Sequence, residues 1–137
     1  MSDAGGVIEV SAGLVFRSCK LLITQRHAGG HLGGLWEFPG GKREKGETFE
    51  QCLSRELREE LGVEVVVGRL FDTVTHAYPK RTVLLKFFCC TLPTGKPQAI
   101  DCAAVKWVNR EELPKHDFPG ADAGLLTRLI ADQTLWG

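Results

Sequence analysis

No apolar run in this 137-residue chain approaches the roughly 20 residues a membrane-spanning helix needs, so no transmembrane helix is expected. Net charge is also missing: 17 Lys and Arg balance 17 Asp and Glu. That balance removes any bulk attraction to duplex nucleic acid or an anionic membrane, and a polyanionic ligand would need a local basic cluster. Cysteine occurs at Cys19, Cys52, Cys89, Cys90 and Cys102, but never as a CxxC pair. Full pairing would leave one over, so free thiols in a reducing compartment are expected. Residues 1–6 carry neither a basic region nor an apolar stretch, so no signal peptide is read and a cytoplasmic location is expected. Repeats, low-complexity tracts and linkers are absent. The length fits one domain over residues 1–137, with residues 1–6 expected to be flexible.

What is present alternates in recognisable ways. Ile8, Val10, Ala12, Leu14 and Phe16 recur at every second position, the mark of a half-buried strand over Val7 to Phe16. Lys20 to Arg26 reads as its hairpin partner across a turn at Arg17 to Cys19. Residues 28–35 hold too many glycines for a regular element, and Trp36 to Phe38 reads as a short strand stopped by Pro39-Gly40-Gly41. Val63 to Val67, Leu70 to Thr75, Thr82 to Thr91 and Ala103 to Val108 are rich in β-branched and aromatic residues, hence four further strands. A helix is expected over Thr48 to Leu61, with Thr48 as N-cap, Gln51 completing a capping box and Gly62 as the stop. A last helix is expected over Ala123 to Thr134. Strands with two principal helices imply a sheet flanked by helices, an α/β fold.

On the first helix Glu56, Glu59 and Glu60 fall on one arc, at i, i+3, i+4, next to the apolar stripe of Leu53, Leu57 and Leu61. A solvated charge face belongs opposite the apolar stripe. Three mutually repelling carboxylates bordering the buried side call for an offset, and three oxygen donors suit a hard divalent cation such as Mg²⁺. The competing reading is a salt-bridged surface helix, with Arg55 and Arg58 neutralising the glutamates. The preceding loop, Gly40 to Glu47, adds flexible backbone and the cations Lys42, Arg43 and Lys45, which a pyrophosphate chain would need.

Residues 41–63, GKREKGETFEQCLSRELREELGV, resemble the Nudix box, GX5EX7REUXEEXGU with U aliphatic. The match runs through Gly41, Glu47, Arg55, Glu56, Leu57, Glu59, Glu60, Gly62 and Val63. Leu35 to Lys42 is similar to the approach to that box in MutT-type nucleoside triphosphate pyrophosphohydrolases. The resemblance implies the Nudix α/β/α sandwich, with a mixed sheet, the box helix and a C-terminal helix. It implies Glu56, Glu59, Glu60 and the Gly40 carbonyl as holders of Mg²⁺, or Mn²⁺ in its place. Glu47 and Arg55 would brace the loop–helix geometry as part of the catalytic set, and Arg26 would bind phosphate. The activity implied is hydrolysis of a nucleoside triphosphate to the monophosphate and pyrophosphate, by water attack at the β phosphorus.

Two positions leave the substrate open. Asp101 lies six residues before Trp107, where similar proteins place a glutamate that helps the metal or water; a turn-capping aspartate is the alternative. Asp122 stands where guanine-selective MutT-type proteins carry asparagine. An ionised aspartate only accepts, which favours the amino group of cytosine or adenine, unless Asp122 simply caps the last helix. Gly41 and Lys42 are further candidates for holding substrate, and Phe38 for stacking on the base. Trp36 and Trp107 read as core. His27, His31, His76 and His116 share no metal-ligand spacing and read as structural or exposed, with His76 and Tyr78 on a loop that could flank a base. Adjacent Cys89 and Cys90 should face opposite sides of a strand. The leading expectation is therefore a nucleotide-pool-cleaning, repair-related pyrophosphohydrolase, monomeric or homodimeric, acting on a normal, damaged or modified nucleoside triphosphate. The alternatives are hydrolysis of ADP-ribose, a dinucleoside polyphosphate or a nucleotide sugar, or nucleotide binding without catalysis.

Overall fold

A computed structural model describes residues 6–137; the flexibility expected of the N-terminus falls, for residues 1–5, outside the described residues. The first strand, β1 (Val7–Arg17), turns through Ser18 and Cys19, at φ 54° and 63°, into β2 (Lys20–Gln25). Positive φ at both turn residues is what a tight hairpin demands. After the glycine-rich loop come β3 (Trp36–Glu37) and β4 (Gly40–Lys42), then α1 (Phe49–Leu61). A long hairpin, β5 (Val66–Tyr78) and β6 (Arg81–Thr91), leads to β7 (Ala104–Val108) and α2 (Ala123–Ala131).

Among the described residues these strands form one seven-stranded mixed sheet, in the order β3-β2-β1-β6-β5, with β4 on β1 and β7 on β2. The β1–β6 pairing is parallel and the rest are antiparallel. Strand alternation sends side chains to two layers. Val15, Leu22, Phe88 and Cys90 meet Leu53, Leu57 and Leu61 of α1 on one face. Leu14, Leu21, Ile23 and Phe87 meet Leu125 and Leu129 of α2 on the other. This is the expected α/β/α sandwich. Cys89 and Cys90 pack into different layers, as their adjacency requires.

Three expectations about local structure need correction. Gly40-Gly41 does not end the strand region; with Lys42 it forms β4, where Gly40 and Gly41 pair with Ala12 and Ser11. A Cβ on Gly40 would stand 1.9 Å from the Ser11 carbonyl oxygen, so only glycine permits this approach. The two strands expected at Val63 to Val67 and Leu70 to Thr75 are one strand that begins only at Val66, because the register shifts between Val67, Leu70 and Asp72 absorb Gly68 as an irregularity. The last helix ends at Ala131, where Asp132 accepts from the Thr134 amide and starts a 3₁₀ turn over Gln133–Trp136. No described helix is long and apolar enough to cross a membrane.

Candidate active site

The N-terminus of α1 forms as its sequence dictates. Thr48 accepts from the Gln51 amide while the Gln51 side chain accepts from the Thr48 amide, a complete capping box. Gly62 closes the helix in the left-handed conformation, its amide donating to Arg58. These caps fix the helix under β4, so that Glu56 lies against Gly41. A Cβ on Gly41 would meet the Glu56 carboxyl at 2.2 Å.

Arg55 is the hub of the box. Its Nε and Nη2 donate to both oxygens of Glu47, at 3.1 and 2.7 Å, and Nη2 also reaches the Lys42 carbonyl at 3.0 Å. Its Nη1 donates to Glu56 at 2.8 Å and to Glu59 at 3.2 Å. This charged fork holds the Glu47 carboxyl down at about 2. Loop, strand β4 and helix are thereby tied together through one guanidinium. Arg58 turns away to Glu64, leaving the carboxylates of the site to Arg55 alone among the two helix arginines.

The three carboxylates are placed unequally. Glu56 and Glu60 line the cleft, whereas Glu59 is 60% exposed and turned to Arg55 at the rim. Burial pushes the Glu56 carboxyl up, against the pull of Arg55. Glu60 is pushed up to about 8, first by burial and then by the charges of Glu56, Glu37 and Asp101. As they stand, no three described His, Cys, Asp or Glu side chains come close enough together to cage an ion. Crowded like charges spread apart, and Arg55 offers Glu59 a competing partner. The donor set is nonetheless all oxygen, and the strain on Glu60 is of the kind a cation relieves.

A cleft of about 870 Å³ runs from these carboxylates across the α2 face of the sheet. Its floor is the paired rows Ile8–Val83, Val10–Leu85 and Ala12–Phe87 of β1 and β6. Lys42, Gly40 and Gly41 lie at one end, Asp122 on the wall, and the β5–β6 hairpin tip, Tyr78 to Arg81, at the rim. A smaller chamber of about 210 Å³ adjoins it and contains His27, Asp101 and Cys102. Arg26, His31, Glu37 and Glu60 border both. Arg26 donates to the His31 carbonyl and to Glu37, each at 2.8 Å, pinning the glycine-rich loop.

Sequence reasoning missed Glu37, whose carboxyl burial pushes up despite the Arg26 partner. The available signal was an acid alternating between Trp36 and Phe38. Phe38 itself is buried, with Phe118 stacked on it at 5.1 Å and Phe87 edge-on. It builds the cleft wall, and its ring is committed to the core. Tyr78 stands against His76 and, across the rim, His31; Tyr78 and His76 lie at the end of β5 and not on the loop expected for them.

Asp122 does not cap α2: no side-chain cap bond is made, and the residue is only 8% exposed. Its carboxyl faces the cleft and is pushed up to about 6 by burial, with Glu37 adding to the effect. The cap is left unfilled because the short 3₁₀ turn at Gly120–Asp122 feeds directly into the helix.

Residues 11–128 match the model of the NUDIX domain. The chain is 38% identical over 125 residues to a CTP pyrophosphohydrolase of Escherichia coli (strain K12), covering 91% of this chain and 93% of that one. It is 34% identical over 125 residues to an 8-oxo-dGTP diphosphatase of Haemophilus influenzae, covering 90% and 92%. A solved MutT structure, from work on the Aliivibrio salmonicida and Vibrio cholerae proteins, superposes with a TM-score of 0.77 at 31% identity, covering 91% and 97%.

Proposed function

The chain belongs to the NUDIX domain family, and we propose that it is a nucleoside triphosphate pyrophosphohydrolase working as a single domain over residues 1–137. It converts a nucleoside triphosphate, normal, damaged or modified, to the monophosphate and pyrophosphate. The observation that carries this reading is the placement of Glu56, braced by Arg55, together with Glu60 at one end of a cleft long enough for a nucleotide. We place the enzyme in the cytoplasm, as a monomer or homodimer acting on free nucleotides, apart from duplex nucleic acid and membranes. Nucleotide-pool cleaning in support of DNA repair is the role that fits.

Members of this family generally need a divalent metal. For this chain we take Mg²⁺, with Mn²⁺ as a substitute, held by Glu56, Glu59, Glu60, the Gly40 carbonyl and Asp101. When bound, the ion supplies charge neutralisation on the phosphates. Arg26, Gly41 and Lys42 bind the phosphate chain. Arg55, clamped by Glu47, ties Glu56 to the loop and to β4. A box carboxylate takes the proton as the water oxygen bonds to the β phosphorus, and the bridging oxygen leaves with the α phosphate. Pyrophosphate release should be measured over a panel of normal and modified nucleoside triphosphates, with and without Mg²⁺. Turnover of at least one triphosphate that stops with EDTA is expected, and metal-independent turnover would contradict the reading.

Asp122 is proposed to read the base. Ionised, it accepts only and favours an exocyclic amino group; protonated, it can donate and accept like asparagine. The ratio of kcat/KM for cytosine or adenine nucleotides over guanine nucleotides should therefore fall as pH drops through about 6. One such contact is worth roughly tenfold to a hundredfold in that ratio, and Asp122→Asn should flatten the profile. A raised pKa also has a stability consequence. The group's contribution is full below its unfolded value and is lost as pH rises through about 6. Asp122→Asn should thus be more stable than the parent at about pH 8, by on the order of 2 kcal/mol, and equal near pH 4. Identical melting curves and base ranking at both pH values would remove Asp122 from base selection.

A further inference from the structure

Residues 92–103, between β6 and β7, form no regular element, yet they are tied down at defined points. Pro97 is buried. The Gln98 amide donates to the Leu61 carbonyl at 3.0 Å, and the Ile100 and Asp101 amides both donate to the Glu60 carbonyl, at 3.1 and 3.2 Å. These carbonyls belong to the last turn of α1 and have no partner within the helix. Beyond them, the Ala103 amide donates to the Gln25 carbonyl on β2 at 2.8 Å. The segment is a C-terminal cap for α1 supplied from elsewhere in the chain.

Ile100 is the residue this arrangement leaves unexplained by packing. It is 59% exposed, so it adds little to the core. Its Cδ1 lies 3.1 Å from where a Cβ on Gly62 would stand, so it rests on the bare backbone of the left-handed cap residue. The next residue, Asp101, enters the small chamber beside Glu60. Only His27 touches the Asp101 carboxylate among the described ion pairs, at 3.4 Å and in solvent, a contact too weak to fix it. Asp101 also adds to the charge crowding at Glu60, which tends to drive it outward.

We infer that residues 98–101 are a strap that sets Asp101 against Glu60, with Ile100 as the positioning residue that seats the strap on Gly62. The inference rests on Glu60 belonging to the hydrolytic site. Because Ile100 is exposed, shortening it leaves no buried cavity; the strap opens locally while the rest of the fold holds.

The test is Ile100→Ala, with Ile100→Val as the conservative control. In metal-free protein, hydrogen exchange at the amides of Gln98, Ile100 and Asp101 should speed up about fivefold or more, with the melting temperature and the α1 interior amides unchanged. With Mg²⁺ and nucleoside triphosphate, kcat should fall about tenfold while KM stays within about twofold, the pattern of a misplaced group. Ile100→Val should recover most of both. In an Asp101→Asn background, Ile100→Ala should cost nothing further in kcat. Unchanged exchange, unchanged kcat, or an equal loss in that background would each overturn the strap. An inactive wild-type protein would overturn the functional reading instead, and the exchange measurement would still decide the strap.

Discussion

Glu56→Gln is expected to lower kcat for triphosphate hydrolysis by at least about a hundredfold, the scale for losing a metal ligand or a charge-stabilising group. Glu56 is well enclosed by the site: 17% exposed, against Gly41, with Arg55 at 2.8 Å. Its ionised form is disfavoured by burial and sits near Glu59. Glutamine keeps the length and shape of the side chain and removes the repulsion. The folded protein should therefore melt no earlier than the parent. Steady-state kinetics beside a thermal melt separate the two effects. A Glu56→Gln protein with parental kcat would take Glu56 out of the catalytic set.

The adjacent glycines of β4 should divide activity from stability. The three atoms nearest a Cβ on Gly41 all belong to the flexible side chain of Glu56, its carboxyl group and Cγ, so Glu56 must turn away while the backbone stays. Gly41→Ala should lower kcat by about a hundredfold, since displacing a catalytic group by about an ångström costs that much, with a nearly parental melt. A Cβ on Gly40 instead meets the Ser11 carbonyl oxygen at 1.9 Å and the Ala12 Cα at 2.8 Å, both backbone of β1. No rotamer relieves that clash, and the β1–β4 pairing must part. Gly40→Ala should destabilise the protein by on the order of 3 kcal/mol or more. Equal melting temperatures for the two variants would mean that β4 is not seated on β1 as described.

How much of this was legible in the sequence depended on whether the deciding force was local. The capping box at Thr48 and Gln51 and the stop at Gly62 are local chemistry, and α1 begins and ends where they demand. The period-two pattern of β1 likewise picks out Ala12, Leu14 and Phe16 for the α2 layer, but the strand is buried on both faces from Ser11 to Val15, because α1 covers the face expected to be open. Gly40-Gly41 reads as a strand terminator because glycine is permissive; that the same permissiveness serves close pairing depends on β1, where Ala12 and Ser11 are the register partners of Gly40 and Gly41. The carboxylate arc on α1 and the i,i+4 contact of Arg55 with Glu59 follow from helical geometry, but the upward shift at Glu60 depends on burial and on the charges of tertiary neighbours such as Glu37 and Asp101. Asp122 was the sharpest ambiguity. Its sequence position suits a cap and a base contact equally, and only the 3₁₀ entry to α2 decides which way its side chain goes. The strap over residues 98–101 left no sequence signal, because its bonds are made by backbone amides.

Water attack at the β phosphorus, in a site built on Glu56 and Glu60, leaves its mark in the products, which ³¹P NMR reads after turnover of a nucleoside triphosphate in ¹⁸O-labelled water. A nucleoside monophosphate and pyrophosphate are expected, with the label in the pyrophosphate. A nucleoside diphosphate with labelled orthophosphate as the main products would contradict attack at the β phosphorus.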